Sequence, residues 1–103
     1  MQSRRMPKTY TLKSKVTVYP GMAAWRFLGL PANEAKEIKE QYGKHAKGWG
    51  SLPVSVTIGK TTWDTSIFPD KKSGTYLLPL KGQVRKAEDI GDTDTVAFTL
   101  RVR

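Results

Sequence analysis

Residues 63–102 read WDTSIFPDKKSGTYLLPLKGQVRKAEDIGDTDTVAFTLRV, and the pattern of this stretch decides the fold. In order it gives a strand, a polar turn-forming loop over residues 69–74, a strand over residues 75–78 closed by Leu78-Pro79, a short basic helix over residues 83–89, an acidic turn and a last strand. In that last strand Val96, Phe98, Leu100 and Val102 alternate with polar or small residues. A period of two, rich in β-branched and aromatic side chains, is the signature of a strand with one buried face.

Working back from Trp63, Val54, Val56 and Ile58 alternate with Ser55 and Thr57 and lead into Gly59-Lys60. Glycine at the first position of a two-residue loop is what a type II′ hairpin needs. That loop fixes a register: Ile58 opposite Thr61, Val56 opposite Trp63 and Val54 opposite Thr65, with Trp63 and Ile67 joining the valines and Asp64 and Ser66 pointing away.

Further upstream, Tyr10, Leu12, Val16 and Val18 share one face of a strand starting at Thr9, and Ser14 weakens the middle of that face. Tyr19-Pro20-Gly21-Met22 is a turn. Residues 24–30 are apolar on both faces apart from Arg26, which suggests a central strand with Trp25 in the core. Asn33 is placed to cap a helix running to Tyr42, whose buried stripe is Ala35, Ile38 and Tyr42, with Gly43 at its end. Residues 1–7 carry no periodicity and are expected as a flexible tail, leaving residues 8–103 as one β-barrel domain.

The two halves echo each other. A strand ending in Leu30-Pro31 is followed by a helix and the strand at Val54; a strand ending in Leu78-Pro79 is followed by a helix and the strand at Val96. One such unit cannot bury its own sheet face, so two are expected to close on one another. The fold expected is mainly β: a small closed or partly split barrel of about six to seven strands with two short helices and a pseudo-two-fold, of double-psi or double-split type.

At 103 residues the chain has the length of one domain. It contains no cysteine, which removes disulfides and thiolate chemistry and fits a reduced cytoplasmic setting. No apolar run approaches the roughly 18 residues of a membrane span, and no hydrophobic run follows Arg4 and Arg5 as a signal peptide requires. Eighteen basic against nine acidic residues give a formal net charge of +9. Such a field attracts polyanions, though charge alone also serves solubility.

Catalytic constellations are absent from the pattern. His45, the one imidazole, lies among lysines in a glycine-containing loop, and Asp92 with Asp94 is a poor metal set. Thr65 and Ser66 have only Asp64 beside them, and strand neighbours point to opposite faces. Gly48-Trp49-Gly50 lacks the length and ending of a phosphate-cradling loop. The chain therefore reads as a non-enzyme with no cofactor and no metal. The binding candidates are Lys81, Arg85 and Lys86 around the second helix, as an anion clamp, and Trp49 as an exposed aromatic. The competing reading pairs Arg85 and Lys86 with Glu88, Asp89 or Asp92.

Four separated motifs, A-W-x-F-x-x-L-P, G-W-G-S-x-P-V-x-V-T-I-G, W-x-T-S-I-F-P-D and Y-L-L-P-L-K-x-x-V-R-K-A-E-x-I, occur in this chain in family order. Together they resemble the uncharacterised bacterial domain-of-unknown-function family nineteen-oh-five, over residues 10–102. The resemblance implies a small β-barrel with two helices and no established activity. The second half is also similar, more distantly, to the swapped-hairpin barrels of AbrB-type regulators and antitoxins. Asp89 and Thr93 stand where that pattern commonly has glycine. Asp accepts a left-handed backbone tolerably and Thr poorly, so the turn before the last strand is in question.

The function expected is a non-catalytic binding module for a small ligand or a protein. The alternatives are a nucleic-acid-binding or antitoxin-like regulator using the basic surface, and a hydrolase. A monomer is possible if one chain closes the barrel, a homodimer if it does not.

Overall fold

The computed structural model describes residues 8–19, 25–46, 48 and 50–103. The tail at residues 1–7, the turn at 20–22 and Trp49 lie outside the described residues. Six strands, β1 (Thr9–Tyr19), β2 (Trp25–Gly29), β3 (Leu52–Ile58), β4 (Thr61–Asp70), β5 (Thr75–Pro79) and β6 (Thr95–Val102), are joined by helices α1 (Ala32–Tyr42) and α2 (Gly82–Ala87). The strands close in the order β1-β2-β5-β4-β3-β6, and every neighbouring pair is antiparallel.

Two strands each pair with one neighbour along their first part and with the other neighbour along their second. Residues 9–15 of β1 pair with β6 and residues 16–19 with β2. Residues 61–67 of β4 pair with β3 and residues 68–70 with β5. β4 thus runs through Pro69 and Asp70, which the sequence assigns to the following loop. Pairing of Pro69 with Tyr76 and of Asp70 with Thr75 extends the ladder that far.

The interior is filled by the alternating positions. Leu28, Leu52, Val54, Val56, Ile67, Leu78 and Leu100 are at most 1% exposed, and α1 adds Ile38, α2 Val84. Each fully buried aliphatic side chain of this kind contributes about 1.5–3 kcal/mol. The β3–β4 register matches the expectation residue for residue: Val54 with Thr65, Val56 with Trp63, Ile58 with Thr61. Gly59 has φ 57° while Lys60 stays on the negative side, the type II′ pattern.

Several local expectations are corrected. α1 starts at Ala32 after Pro31 (φ −57°, ψ 147°), with no side-chain cap, so Asn33 is already inside the helix rather than its cap. Trp25 is 49% exposed rather than in the core, because β2 turns that alternating position outward. Trp63 does pack against the core, half-buried, but its Nε1 is buried with no hydrogen-bond partner. Asp89 adopts φ 54°, as expected for a left-handed position occupied by Asp. Thr93 does not enter that region. The Asp94 carboxylate accepts the Gly91 N–H at 2.7 Å, and the Asp94 N–H returns to the Gly91 carbonyl at 3.2 Å, which closes the turn without a second glycine.

The pseudo-two-fold is present, at a spacing different from the Leu-Pro echo. Exchanging β1 with β4, β2 with β5 and β3 with β6 reproduces the same ring of neighbours. Pro31 and Lys81 precede the two helices with matching angles (φ −57°, ψ 147°; φ −63°, ψ 150°), so Lys81, and not Pro79, is the partner of Pro31. Carboxylates tie each helix to the start of its paired strand. Glu37 accepts from the Tyr10 hydroxyl at 3.2 Å, and Glu88 accepts from the Thr61 hydroxyl at 2.6 Å and the Lys60 N–H at 3.2 Å.

Candidate anion-binding cleft

The strand ends and helix starts shape two clefts that the two-fold relates. One, of about 310 Å³, lies between Trp25 and Arg26 of β2 and the entry to α2, where Pro79, Leu80, Lys81, Gly82 and Arg85 line it. The other, of about 680 Å³, lies between Thr75 and Tyr76 of β5 and the entry to α1, with Ala32, Ala35 and Lys36 on its wall. Tyr76 occupies the place of Arg26, and Ala32 and Ala35 those of Gly82 and Arg85. Both clefts carry cations: Lys36, Lys39 and Lys71, with Asp70, line the larger, whereas the smaller combines Arg26, Lys81 and Arg85 with the Trp25 indole and has no acid in its lining.

Charge in the smaller cleft is unbalanced. Arg26 holds Asp92 in a two-point bond, Nε to Oδ1 at 2.8 Å and Nη2 to Oδ2 at 3.0 Å. This guanidinium, with a further contribution from the charge of Arg85, keeps the Asp92 carboxyl below its ordinary value of 3.8. The single acid is thus committed to Arg26. Arg85 donates its Nε to the Leu80 carbonyl at 3.3 Å, which aims the guanidinium across Gly82, whose absent side chain leaves it room. The remaining guanidinium nitrogens of Arg85 and the ammonium of Lys81 meet no carboxylate among the described residues.

Of the four residues singled out from sequence, two converge here, Lys81 and Arg85. Lys86 is exposed and does not line the cleft, and Trp49 lies outside the described residues. No ion pair of Arg85 or Lys86 with Glu88, Asp89 or Asp92 occurs among the described residues: Glu88 is bonded to the β3–β4 turn and Asp92 to Arg26, while Arg85 acts on Asp92 only through its charge. α2 has only six residues, so side chains rather than a helix dipole carry the charge. Sequence reasoning missed Arg26 and Trp25, because both sit in an apolar-looking strand. The one available signal was the lone arginine within it.

Elsewhere, His45 is exposed in the 3-10 turn Gly43–His45, and no group of three potential metal ligands occurs among the described residues. Ser66 pairs across the ladder with Pro53. No helix among the described residues is long and apolar enough to cross a membrane.

A closed six-stranded antiparallel barrel with internal two-fold symmetry and two helices defines the class: a small mainly-β domain of the kind the four motifs implied. The profile of the family described as Domain of unknown function (DUF1905) matches residues 13–100. The chain belongs to that family. The family match does not extend to the AbrB-type barrels that the second half was expected to resemble. Comparison with curated proteins gives no match.

Proposed function

We propose that this domain is a non-catalytic binding module whose ligand carries an anionic group, phosphate or carboxylate, seated between Lys81 and Arg85 beside the Trp25 indole. The observation that carries this reading is the pair of cations, neither in an ion pair among the described residues, that line a cleft of about 310 Å³. A guanidinium with free terminal nitrogens matches the geometry of a two-oxygen anion, and an adjacent indole face accommodates a flat or apolar remainder. A cysteine-free basic chain suits a cytoplasmic setting for such a role.

Calorimetric titration with inorganic pyrophosphate tests it. Binding should weaken at least roughly tenfold in Arg85→Gln and in Lys81→Ala, since a charge-assisted bond is worth about 1.5–3 kcal/mol. Equal binding by wild type and both variants would remove the cleft as the site. The absence of catalysis is tested separately with ester and phosphate substrates: turnover that disappears in Ser66→Ala would make the domain a hydrolase.

A further inference from the structure

The barrel's two sheets present different outer surfaces. On the β1-β6-β3-β4 side, Thr11, Thr99, Thr57 and Thr62 form one continuous row of register partners, with Thr57 and Thr62 hydroxyls 2.9 Å apart. That is an ordinary hydrated sheet face. On the β1-β2-β5-β4 side the outward positions include Tyr19, Trp25, Phe27, Leu77, Pro79 and Phe68, alongside Thr17, Gly29, Asp70 and Thr75. Trp25 and Phe68 are 49% and 42% exposed, the two large apolar side chains so exposed among the described residues. Tyr19 and Phe27 meet edge to face with centroids 5.0 Å apart, and Trp25 lies 6.0 Å from Phe27, so the rings form a connected strip. Leu77 is the register partner of both Gly29 and Phe68 and carries the strip across the sheet.

Exposing indole and phenyl rings on a sheet whose opposite number is polar forgoes burial that a solvent-facing surface does not need to forgo. Around the strip stand Lys15, Lys71, Lys72 and Lys81, all exposed and none in an ion pair among the described residues. The acid nearest in register is Asp70, whose carboxylate is engaged by the Ser73 N–H and hydroxyl. Trp25 also lines the Lys81–Arg85 cleft, so strip and cleft are continuous.

We infer that the outer face of the β1-β2-β5-β4 sheet is a stacking platform for single-stranded nucleic acid, with bases on Trp25, Phe27 and Phe68 and backbone phosphate in the Lys81–Arg85 cleft. The phosphate position rests on the anion-binding reading above; the platform rests on the aromatic strip. Charge selects the occupant. A polyanion complements a chain of net charge +9, whereas a second copy would bring two cationic rims together. A single strand rather than a duplex follows from the rings, because a duplex keeps its base faces stacked and unavailable.

The test is fluorescence anisotropy with a labelled oligodeoxythymidylate of about ten nucleotides, alongside the pyrophosphate titration. The expected result is binding that falls steeply between about 50 and 200 mM salt and is tighter than for a duplex of the same length. Phe68→Ser and Trp25→Ala should each weaken it by roughly tenfold, at positions exposed enough for circular dichroism to confirm an intact fold. Phe68→Ser should leave pyrophosphate binding unchanged. Pyrophosphate binding that depends on Arg85, with no oligonucleotide binding at low salt, overturns the platform and spares the cleft. Oligonucleotide binding that ignores Arg85→Gln but needs Phe68 overturns the phosphate position alone. Equal affinity for duplex and single strand, or a dimer that dissociates in Phe68→Ser without any oligonucleotide binding, overturns the inference outright.

Discussion

Leu28 and Leu78 face one another as register partners in β2 and β5, both fully buried, and the hydrogen bonds flanking them are exchanged in mirror order. The Leu30 N–H donates to the Tyr76 carbonyl and the Leu80 N–H to the Arg26 carbonyl, each at 2.9 Å. Adding fifty to one half of either bond gives the other. On the far side of the ring, Thr57 and Thr99 are likewise partners, in β3 and β6. These two pairings mark where the pseudo-two-fold crosses the wall of the barrel. One chain thus supplies both halves of the closure.

Equivalence of position predicts equivalence of cost. Leu28→Ala and Leu78→Ala should each destabilise by about 2–5 kcal/mol in chemical denaturation. The two values should agree within about 1 kcal/mol, because each leaves a cavity in a matching environment. A large gap between them would show that the repeats pack differently around the shared interior.

Trp63 fills space beneath the β3–β4 ladder but leaves its indole nitrogen unsatisfied. Trp63→Phe keeps much of the ring and deletes the orphan donor, whose burial costs about 1–3 kcal/mol. Its stability should therefore stay within about 1 kcal/mol of wild type, whereas Trp63→Ala should lose about 3–5 kcal/mol. Thermal unfolding of the two variants checks the contrast.

Asp89 holds φ 54° at the exit of α2. Removing its Cβ relieves a left-handed strain of at most about 1–2 kcal/mol, partly offset by the greater freedom of glycine in the unfolded chain. Asp89→Gly should be stabilising by about 0.5–1 kcal/mol, and Asp89→Val destabilising, since a β-branched residue tolerates this region worst. The order of midpoints in urea decides it.

Stability should respond to pH at both extremes. Hydrogen bonds from Arg26 hold Asp92 below 3.8, and those from Lys8 hold Glu37 below 4.5. A carboxylate with a depressed folded pKa gives its full contribution above the unfolded value, and this is lost as pH falls through the folded one. Acid unfolding should accordingly begin below about pH 4 and be flattened in Asp92→Asn. At the alkaline end, burial, assisted by the Glu37 carboxylate, pushes the Tyr10 phenol up to about 12. A raised phenol favours the protonated folded state, so its contribution is complete below pH 10 and disappears as pH rises through 12. Ultraviolet tyrosine titration should show a component near pH 12 that is missing in Tyr10→Phe.

The strands, both helices and the Gly59 hairpin register were legible because each is written in local terms: alternation, a stripe of three- and four-residue spacing, a glycine at one loop position. The clamp was half legible. Lys81 and Arg85 stood out as cations near a helix, but Arg26 and Trp25 join them from fifty-odd residues away, and Lys86 leaves the group because α2 turns it outward.

The amino-acid sequence by itself determined which positions alternate, where the chain turns, and that two similar units must share one interior. The tertiary structure alone decided how those units are superposed. Its spacing of fifty is fixed by exchanged backbone hydrogen bonds across Leu28 and Leu78; leucines recur at that spacing and also at forty-eight, so the repeated Leu-Pro pair misplaces the match by two residues. It also decided that Asp92 bonds Arg26 and that neither Lys81 nor Arg85 forms an ion pair among the described residues, because ion pairing depends on distance in space and the sequence reports only distance along the chain.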